Sequence, residues 1–270
     1  MLPKRKRRPR PPGRGRPDGL RQLLAWCVHL YTALGLVAAA GMAVLIVQGE
    51  AHAFHLVFLL MLVATLIDAT DGALARRVRV KEVLPGFDGR RLDDLTDFLT
   101  YAFLPLLLLW RAEVLPAGQG WWLLLPLLAS AYGFSQVSAK TPDGYFLGFP
   151  SYWNLVAFYL YVLRPPDWVV VSLLVGFSLL TFVPLRYLYP SQGGRLNRLT
   201  NLLGAVWTGL LICILINPAA HEFPGEVARA LTVGSLAFPI YYLVASWVIS
   251  LRLWRRSRRW NALPEVPSPS

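Results

Sequence analysis

The sequence predicts an all-α protein, a polytopic bundle of about eight transmembrane helices, from three observations. Hydrophobic residues make up 55% of its 270 positions, whereas soluble domains carry roughly 45–50%. The apolar residues are concentrated in blocks near the ~20 residues that a helix needs to cross a bilayer. Basic residues crowd the two ends and alternate loops, a distribution typical of membrane proteins. This distribution explains the net charge of +12 without nucleic acid as a partner.

Eight apolar blocks can be marked along the chain, and each predicts one helix. They cover about residues 23–47, 52–70, 93–110, 121–138, 151–163, 167–185, 199–217 and 230–251. The fifth block is short, and Arg164, Pro165 and Pro166 separate it from the sixth, so these two should form a tight hairpin. The third begins with acidic residues, which should project beyond the bilayer core or into a protected cavity.

The loop charges predict how the helices are oriented. The N-terminal tail and residues 252–259 are strongly basic, so both ends should face the cytoplasm, which requires an even number of spans. Loops 71–92 and 186–198 are also basic and fall on that side. The loops that carry glutamate and little basic charge fall outside, and they are 48–51, 111–120 and 218–227. Eight spans satisfy every loop.

Composition divides the chain into three regions. Residues 1–20 predict a disordered basic cytoplasmic tail, suited to anionic lipid headgroups. Residues 21–252 form the membrane domain, whose first apolar block is too long for a signal-peptide core. Residues 253–270 form a second cytoplasmic tail, basic and then rich in Pro and Ser. Cys27 and Cys213 lie inside apolar blocks, so we expect buried small hydrophobes rather than a disulfide framework.

Regularly spaced carboxylates between Asp68 and Asp97 are the feature that points to function. The skeleton is D-x2-D-G-x2-A-R, twelve residues, then G-x3-D-x3-D, with its fixed positions at Asp68, Asp71, Gly72, Ala75, Arg76, Gly89, Asp93 and Asp97. Residues three or four apart share a helix face, so each pair of aspartates should point in one direction. A hairpin through residues 72–92 should bring the two pairs to the same edge of the bundle.

Carboxylates at a membrane boundary are unfavourable unless something neutralises them. Unpaired, each would cost about 2.5–3.5 kcal/mol at mid-bilayer and less near the edge, and four would also repel one another. Divalent cations remove both penalties, and all-oxygen ligation suits Mg²⁺ or Mn²⁺. The alternative is a solvated acidic helix end, or carboxylates paired with the neighbouring arginines. Gly72 and Gly89 favour the metal site, since glycine permits close backbone approach to a ligand.

The skeleton resembles the signature of the CDP-alcohol phosphatidyltransferases, integral membrane enzymes that displace CMP from a CDP-linked lipid with an alcohol. The twelve-residue gap, longer than usual, resembles the bacterial phosphatidylcholine synthase branch, and the resemblance covers most of residues 22–250. It implies two Mn²⁺ or Mg²⁺ ions on Asp68, Asp71 and Asp93, with Asp97 as general base and further ligand. It also implies a nucleotide and pyrophosphate site at Gly72, Ala75, Arg76 and Gly89.

Two other residues are candidates for contacts with the lipid substrate. Thr32, one turn after His29 in the first block, is expected to contact CDP, unless the pair only packs helices. Arg186 ends the sixth block and either contacts a lipid phosphate or anchors its helix to the interface. Asp94 breaks the i, i+4 register of its neighbours and is expected at the surface or behind the ligands.

Residues 131–154 also resemble phosphatidylcholine synthases, particularly in the run 146–154. Choline carries a quaternary ammonium without a hydrogen-bond donor, so aromatic faces are its natural receptor. Four aromatic residues in this segment are candidates for a choline cage: Tyr132, Tyr145, Tyr152 and Trp153. The alternative is that they are interfacial aromatics, which are common in membrane proteins.

The resemblance therefore implies an enzyme of a bacterial inner membrane that condenses CDP-diacylglycerol with choline to give phosphatidylcholine and CMP. It also implies a homodimer, which is common in that family. One alternative is the same transfer to serine or inositol, for which Lys140 or Arg186 would supply a basic group. Another is a transporter whose aspartates bind a coupling cation. Transporter sites usually lie near the bilayer midplane on interrupted helices, whereas these carboxylates should cluster at one boundary, beside arginine and glycine.

Overall fold

The computed structural model describes residues 19–137, 139, 141, 145–188, 195–216 and 226–261. This part of the chain is mostly helical. Its helices are α1 (Gly19–Gln48), α2 (Ala51–Val78), α3 (Val80–Val83), α4 (Gly89–Asp97), α5 (Leu104–Arg111), α6 (Leu124–Ser135), α7 (Trp153–Leu163), α8 (Asp167–Phe182), α9 (Arg195–Ile216), α10 (Glu226–Ser235) and α11 (Ala237–Asn261). Its strands are β1 (Tyr145–Leu147) and β2 (Arg186–Leu188). Lys140 and most of the two predicted tails lie outside the described residues.

Among the described residues, four helices are long and apolar enough to cross a membrane: Gly19–Gln48, Ala51–Val78, Arg198–Ile216 and Arg229–Arg255. Helices α7 and α8 are apolar but shorter, with 11 and 16 residues. Each of the eight predicted blocks falls largely on helical residues, so the helical class is confirmed. The number of spans is not confirmed by these lengths, and eight remains a prediction.

The outer surface of the bundle is apolar, as expected for a membrane protein. Helix α1, for example, exposes large apolar side chains along its length, including Leu23, Leu30, Leu34, Val37 and Val44. A continuous apolar strip of this kind is unfavourable in water and favourable against lipid. Cys27 and Cys213 are also exposed, so the expectation that both are buried is wrong. Lipid chains are as apolar as a protein core, so an outward position costs a small apolar side chain little.

The packing of α1 against α2 and α4 positions the acidic residues. Gly49, with φ +74°, turns the chain between α1 and α2, which form an antiparallel pair. Helix α4 crosses α1 so closely that a Cβ on Gly35 would lie 2.5 Å from Cγ2 of Thr96. This crossing holds the acidic face of α4 near the acidic turn of α2.

Helix α4 continues into a π-helical segment, Phe98–Phe103, and then into α5. Pro105 lies in the first turn of α5 and has no N–H to donate to the carbonyl one turn earlier, which accounts for an interruption at this point. The widened segment places Tyr101 in the interior, where its side chain is only 8% exposed.

A short two-stranded antiparallel sheet joins distant parts of the chain, and the sequence did not predict it. Phe146 of β1 pairs with Tyr187 of β2. Serine hydroxyls of α11 satisfy the free edge of β2: Ser250 accepts a hydrogen bond from the N–H of Arg186 at 2.6 Å, and Ser246 accepts one from the N–H of Leu188 at 3.2 Å. The sheet thereby packs against α11 through β2.

Candidate metal and nucleotide site

Three of the four predicted aspartates meet at the end of the bundle where α1 and α4 begin. One carboxylate oxygen from each of Asp68, Asp71 and Asp93 lies within 4.8 Å of the other two. Helix α2 supplies the first two residues from one face, and α4 supplies the third. We call these three residues the acidic cluster. The predicted hairpin therefore brings carboxylates from both helices together, as the spacing indicated.

The acidic cluster fits a small divalent cation. Oxygens bound to octahedral Mg²⁺ at about 2.1 Å lie about 3 Å apart when adjacent and about 4 Å apart when opposite. Oxygens within 4.8 Å of one another need only small side-chain movements to reach such an ion. Asp71 is 6% exposed, so the three negative charges lie together in a partly desolvated site. A bound cation would stabilise the charged form of these carboxylates. The all-carboxylate donor set favours Mg²⁺ or Mn²⁺ over softer metals.

Two hydroxyl groups orient the carboxylates of the acidic cluster. Thr32 of α1 donates a hydrogen bond to Oδ2 of Asp71 at 2.7 Å. Tyr101 donates one to Oδ2 of Asp68 at 2.8 Å. Both bonds are made to Oδ2, so the two hydroxyls fix the orientation of two of the three carboxylates. Because the hydroxyl hydrogen of Thr32 is given to Asp71, the predicted contact of Thr32 with CDP would have to use its oxygen as an acceptor.

Asp97 is the last residue of α4 and is not one of the three clustered ligands. It lies one helical turn beyond Asp93 and is half-buried. Asp94, beside Asp93 but on a different face of the helix, is also half-buried. The fourth predicted aspartate thus lies next to the acidic cluster rather than within it.

The residues implied for nucleotide binding lie at the same end of the bundle, each with a distinct environment. A Cβ on Gly72 would lie 3.3 Å from Nη1 of Arg76, so the exposed guanidinium folds back over this glycine. A Cβ on Gly89 would lie 2.5 Å from Cε1 of His29. Gly89 is therefore required by the close approach of a protein side chain. Ala75 packs against a small apolar group at the start of α1.

The twelve residues between Arg76 and Gly89 fold back over the start of α1. Arg79, with φ 55°, ends α2 and leads into the short helix α3. Val80 of α3 is 5% exposed and packs with Ala25 and Val28 of α1. This fold gives the unusually long gap a structural role, because it covers the first turns of α1 beside the acidic cluster.

Two of the four predicted cage residues have other surroundings. Trp153 is fully buried, and its indole N–H donates to the hydroxyl of Ser130 at 2.8 Å. Tyr132 is 45% exposed, and its ring lies 4.8 Å from that of Phe182. A buried core residue and an outward-facing residue do not line one pocket together.

The other two cage residues, Tyr145 and Tyr152, are both half-buried. The guanidinium carbon of Arg186 stands 5.8 Å from the centre of the Tyr145 ring. The Tyr152 ring lies 6.4 Å from Tyr101 and 6.2 Å from Tyr242. Through Tyr101, which binds Asp68, Tyr152 is the predicted cage residue most directly connected to the acidic cluster.

Known proteins resemble this chain over most of its length, although no family model matches it. It is 32% identical to the phosphatidylcholine synthase of Pseudomonas aeruginosa over 242 residues, which cover 87% of this chain and 93% of that protein. It is 38% identical to the phosphatidylcholine synthase of Legionella pneumophila over 205 residues, 72% of this chain and 78% of that protein. The chain belongs to the phosphatidylcholine synthase family. It is therefore an enzyme of the CDP-alcohol phosphatidyltransferase type.

Tyr101 contacts the acidic cluster, and the sequence analysis did not name it. It follows Asp97 by four residues and Asp93 by eight, so a continued helical face would have included it. The signal was present in the spacing. An apolar context, however, made the tyrosine resemble an ordinary packing residue.

Replacing Tyr101 with phenylalanine should weaken metal binding, because it removes the hydrogen bond to Asp68 and keeps the ring. Loss of a group that orients a metal ligand typically lowers metal affinity by about 10–100-fold. We expect the Mn²⁺ concentration needed for half-maximal CMP release to rise by about tenfold, with turnover largely recovered at saturating Mn²⁺.

The matched control for this substitution is Tyr31→Phe. The hydroxyl of Tyr31 forms a 2.8 Å hydrogen bond with the hydroxyl of Thr70, which is not a carboxylate. Tyr31→Phe should leave unchanged the Mn²⁺ concentration needed for half-maximal CMP release. Equal Mn²⁺ dependence in Tyr101→Phe and the unmodified chain would show that Tyr101 does not support the candidate metal site.

Proposed function

We propose that this chain is a phosphatidylcholine synthase that condenses CDP-diacylglycerol with choline and releases CMP. It would act in a bacterial inner membrane with both ends in the cytoplasm. The observation that carries the proposal is the convergence of Asp68, Asp71 and Asp93 from two helices, in a chain whose relatives bear that name. The basic ends and the acidic alternate loops support the orientation.

The proposed cofactors are two Mn²⁺ or Mg²⁺ ions held by the acidic cluster and Asp97. Bound there, they would neutralise the pyrophosphate oxygens and the charge that develops on CMP. Thr32 and Tyr101 hold two of the carboxylates in place for this task. Arg76, exposed above Gly72, presents a guanidinium fork suited to the phosphate oxygens.

Asp97 is proposed as the general base. The oxygen of choline forms a bond to the phosphorus that carries diacylglycerol, and the bond from that phosphorus to the bridging oxygen breaks. CMP leaves with the electron pair of that bond, and the choline hydroxyl gives its proton to the Asp97 carboxylate. The position of Asp97, one helical turn from Asp93, supports this role, because it places a carboxylate beside the proposed ions.

Tyr152 is the proposed aromatic contact of choline. Its ring is half-buried and lies 6.4 Å from the Tyr101 ring and 6.2 Å from the Tyr242 ring. The hydroxyl of Tyr101 in turn binds Asp68. An aromatic face attracts a quaternary ammonium, and nearby carboxylates add to that attraction. Trp153, by contrast, would serve as a packing residue that holds the start of α7 in place.

The acceptor assay tests the proposed function directly. Membranes containing the chain should be given CDP-diacylglycerol, Mn²⁺ and, separately, labelled choline, serine or inositol. We expect label in lipid only from choline, with one CMP released for each choline incorporated. Membranes with Asp97→Asn serve as the matched control.

Two results would contradict the proposal, one from this assay and one from a transport measurement on the same membranes. Incorporation of serine or inositol without choline would assign the same chemistry to another alcohol. Cation-coupled uptake of a solute with no CMP release would favour the transporter.

A further inference from the structure

Polar side chains continue from the acidic cluster into the interior of the bundle, at the contact between α2 and α7. Thr65 of α2 precedes Asp68 by three residues, so it lies on the same helix face about 4.5 Å deeper along the axis. Asn154, the second residue of α7, is 6% exposed, and its Nδ2 donates a hydrogen bond to Oγ1 of Thr65 at 3.4 Å. Oδ1 of Asn154 accepts the N–H of Leu155 at 2.9 Å, which fixes the orientation of the amide.

Tyr101 connects this pair to the acidic cluster. Its hydroxyl donates to Oδ2 of Asp68 at 2.8 Å and also lies within hydrogen-bonding reach of the Thr65 hydroxyl. The amide of Asn154 and the hydroxyls of Thr65 and Tyr101 therefore lead without a break to the carboxylate. We call these three residues the polar relay.

The hydrogens of the polar relay can all point towards the carboxylate. An amide N–H only donates, so the oxygen of Thr65 is the acceptor for Asn154. The single hydroxyl hydrogen of Thr65 can go to the carbonyl of Met61 at 2.9 Å or to Tyr101. When it goes to Tyr101, the hydrogen of Tyr101 is directed to Asp68, and each bond in the series strengthens the next.

The alternative role for Asn154 and Thr65 is to join α2 to α7. Hydrogen bonds between membrane helices contribute little on average, and apolar side chains would pack there without the cost of burying an amide. A link between the two helices also needs no contact with Tyr101. The connection through Tyr101 to Asp68 therefore favours a role at the acidic cluster.

We propose that Asn154 and Thr65 are positioning residues that act through Tyr101 to hold Asp68 in place for a divalent cation. The inference rests on the proposed function, in which the acidic cluster binds Mn²⁺ or Mg²⁺. Asn154 orients the hydroxyl of Thr65, and Thr65 orients that of Tyr101. Loss of either residue lets the Tyr101 hydroxyl turn away from Asp68, which weakens the hold on one metal ligand.

Binding of Mn²⁺ to the purified full-length chain, followed by electron paramagnetic resonance, tests this inference without turnover. Thr65→Val keeps the branched shape of the side chain and removes its hydroxyl. This substitution and Asn154→Leu should each raise the Kd for Mn²⁺ by about two- to fivefold, less than the loss of a direct partner of a metal ligand. Thr65→Ser restores the hydroxyl and should recover most of the affinity.

Combination with Tyr101→Phe separates the proposed route from a general loss of packing. In the Tyr101→Phe chain, neither Thr65→Val nor Asn154→Leu should raise the Kd for Mn²⁺ further, because the effects of residues that act through one group do not add.

Ser130→Ala is the matched control. Ser130 is fully buried and accepts a hydrogen bond from Trp153, also at the start of α7, but this bond leads to α6. Its loss leaves the indole N–H of Trp153 without that partner, so the Tm should fall. The Kd for Mn²⁺ should not change.

Unchanged Mn²⁺ affinity in both Thr65→Val and Asn154→Leu would overturn the inference, even with a lower Tm, because the two residues would then only pack helices. Effects that add fully to that of Tyr101→Phe would also overturn it, since they would follow another route. Either result leaves the proposed function standing if the unmodified chain binds Mn²⁺ and incorporates choline. If the unmodified chain bound no Mn²⁺, the inference and the proposed metal site would fail together.

Discussion

Asp97→Asn should slow the release of CMP by about 10²- to 10⁴-fold, the range typical of a lost general base. The substitution keeps the shape of the side chain and removes its ability to take the choline proton. Because the three carboxylates of the acidic cluster remain, Mn²⁺ and CMP should still bind, with Mn²⁺ affinity reduced only by the loss of Asp97 as a further ligand. Steady-state release of CMP from CDP-diacylglycerol and choline measures the first effect, and equilibrium binding measures the second.

Asp94→Asn is the matched control for Asp97. The two residues lie on the same helix and are both half-buried, but Asp94 is out of register with Asp93 and Asp97. Its turnover should stay within about threefold of that of the unmodified chain, as for substitutions away from reacting groups. Unimpaired turnover in Asp97→Asn would remove Asp97 from the mechanism.

Asp71→Asn should lower turnover by about 10³-fold, because metal ions contribute several kcal/mol to such reactions. The stability of the metal-free chain should not fall. Asparagine can still accept the hydrogen bond from Thr32, and the substitution relieves repulsion within the acidic cluster. Thermal unfolding with and without Mn²⁺ should show that the metal raises the Tm of the unmodified chain and not that of Asp71→Asn.

Glu82→Gln provides a control for Asp71, since Glu82 is an exposed acid on α3, outside the acidic cluster. It should keep both its turnover and its Tm increase with Mn²⁺. A lower Tm in Asp71→Asn together with an intact Mn²⁺ effect would mean that Asp71 only stabilises the fold.

The sequence was sufficient to predict that Asp68, Asp71 and Asp93 meet, although it also placed Asp97 with them. Asp68 and Asp71 are three apart, and a helix fixes the face they share. The partner helix was also predictable, because the next apolar block begins with Asp93. The apolar blocks likewise located the helices, since a membrane requires long apolar runs whatever their packing.

Individual contacts between helices could not be predicted from the sequence, because they depend on how the faces of separate helices pack. The hydrogen bond from Tyr101 to Asp68 depends on the π-helical segment that precedes Pro105. Glycine at position 89 was predicted to allow a ligand to approach the backbone closely. In the structure, the group that approaches Gly89 closely is the side chain of His29. Composition cannot distinguish these cases.

The aromatic residues illustrate the same limit at longer range. Trp153 was predicted to line a choline cage with its sequence neighbour Tyr152, yet successive helical residues point in different directions. Trp153 is fully buried, with its indole N–H bound to Ser130, whereas Tyr152 is half-buried near Tyr101. Proximity in sequence was a poor guide to proximity in space at the start of a helix.

Binding of Mn²⁺ to the purified chain, followed by electron paramagnetic resonance, tests the central claim most directly. The account predicts saturable binding that is lost or strongly weakened in each of Asp68→Asn, Asp71→Asn and Asp93→Asn. Asp88→Asn should bind Mn²⁺ normally, because Asp88 is an exposed carboxylate that caps α4 and pairs with Arg91. Unchanged Mn²⁺ affinity in all three cluster variants, or no saturable binding by the unmodified chain, would contradict the account.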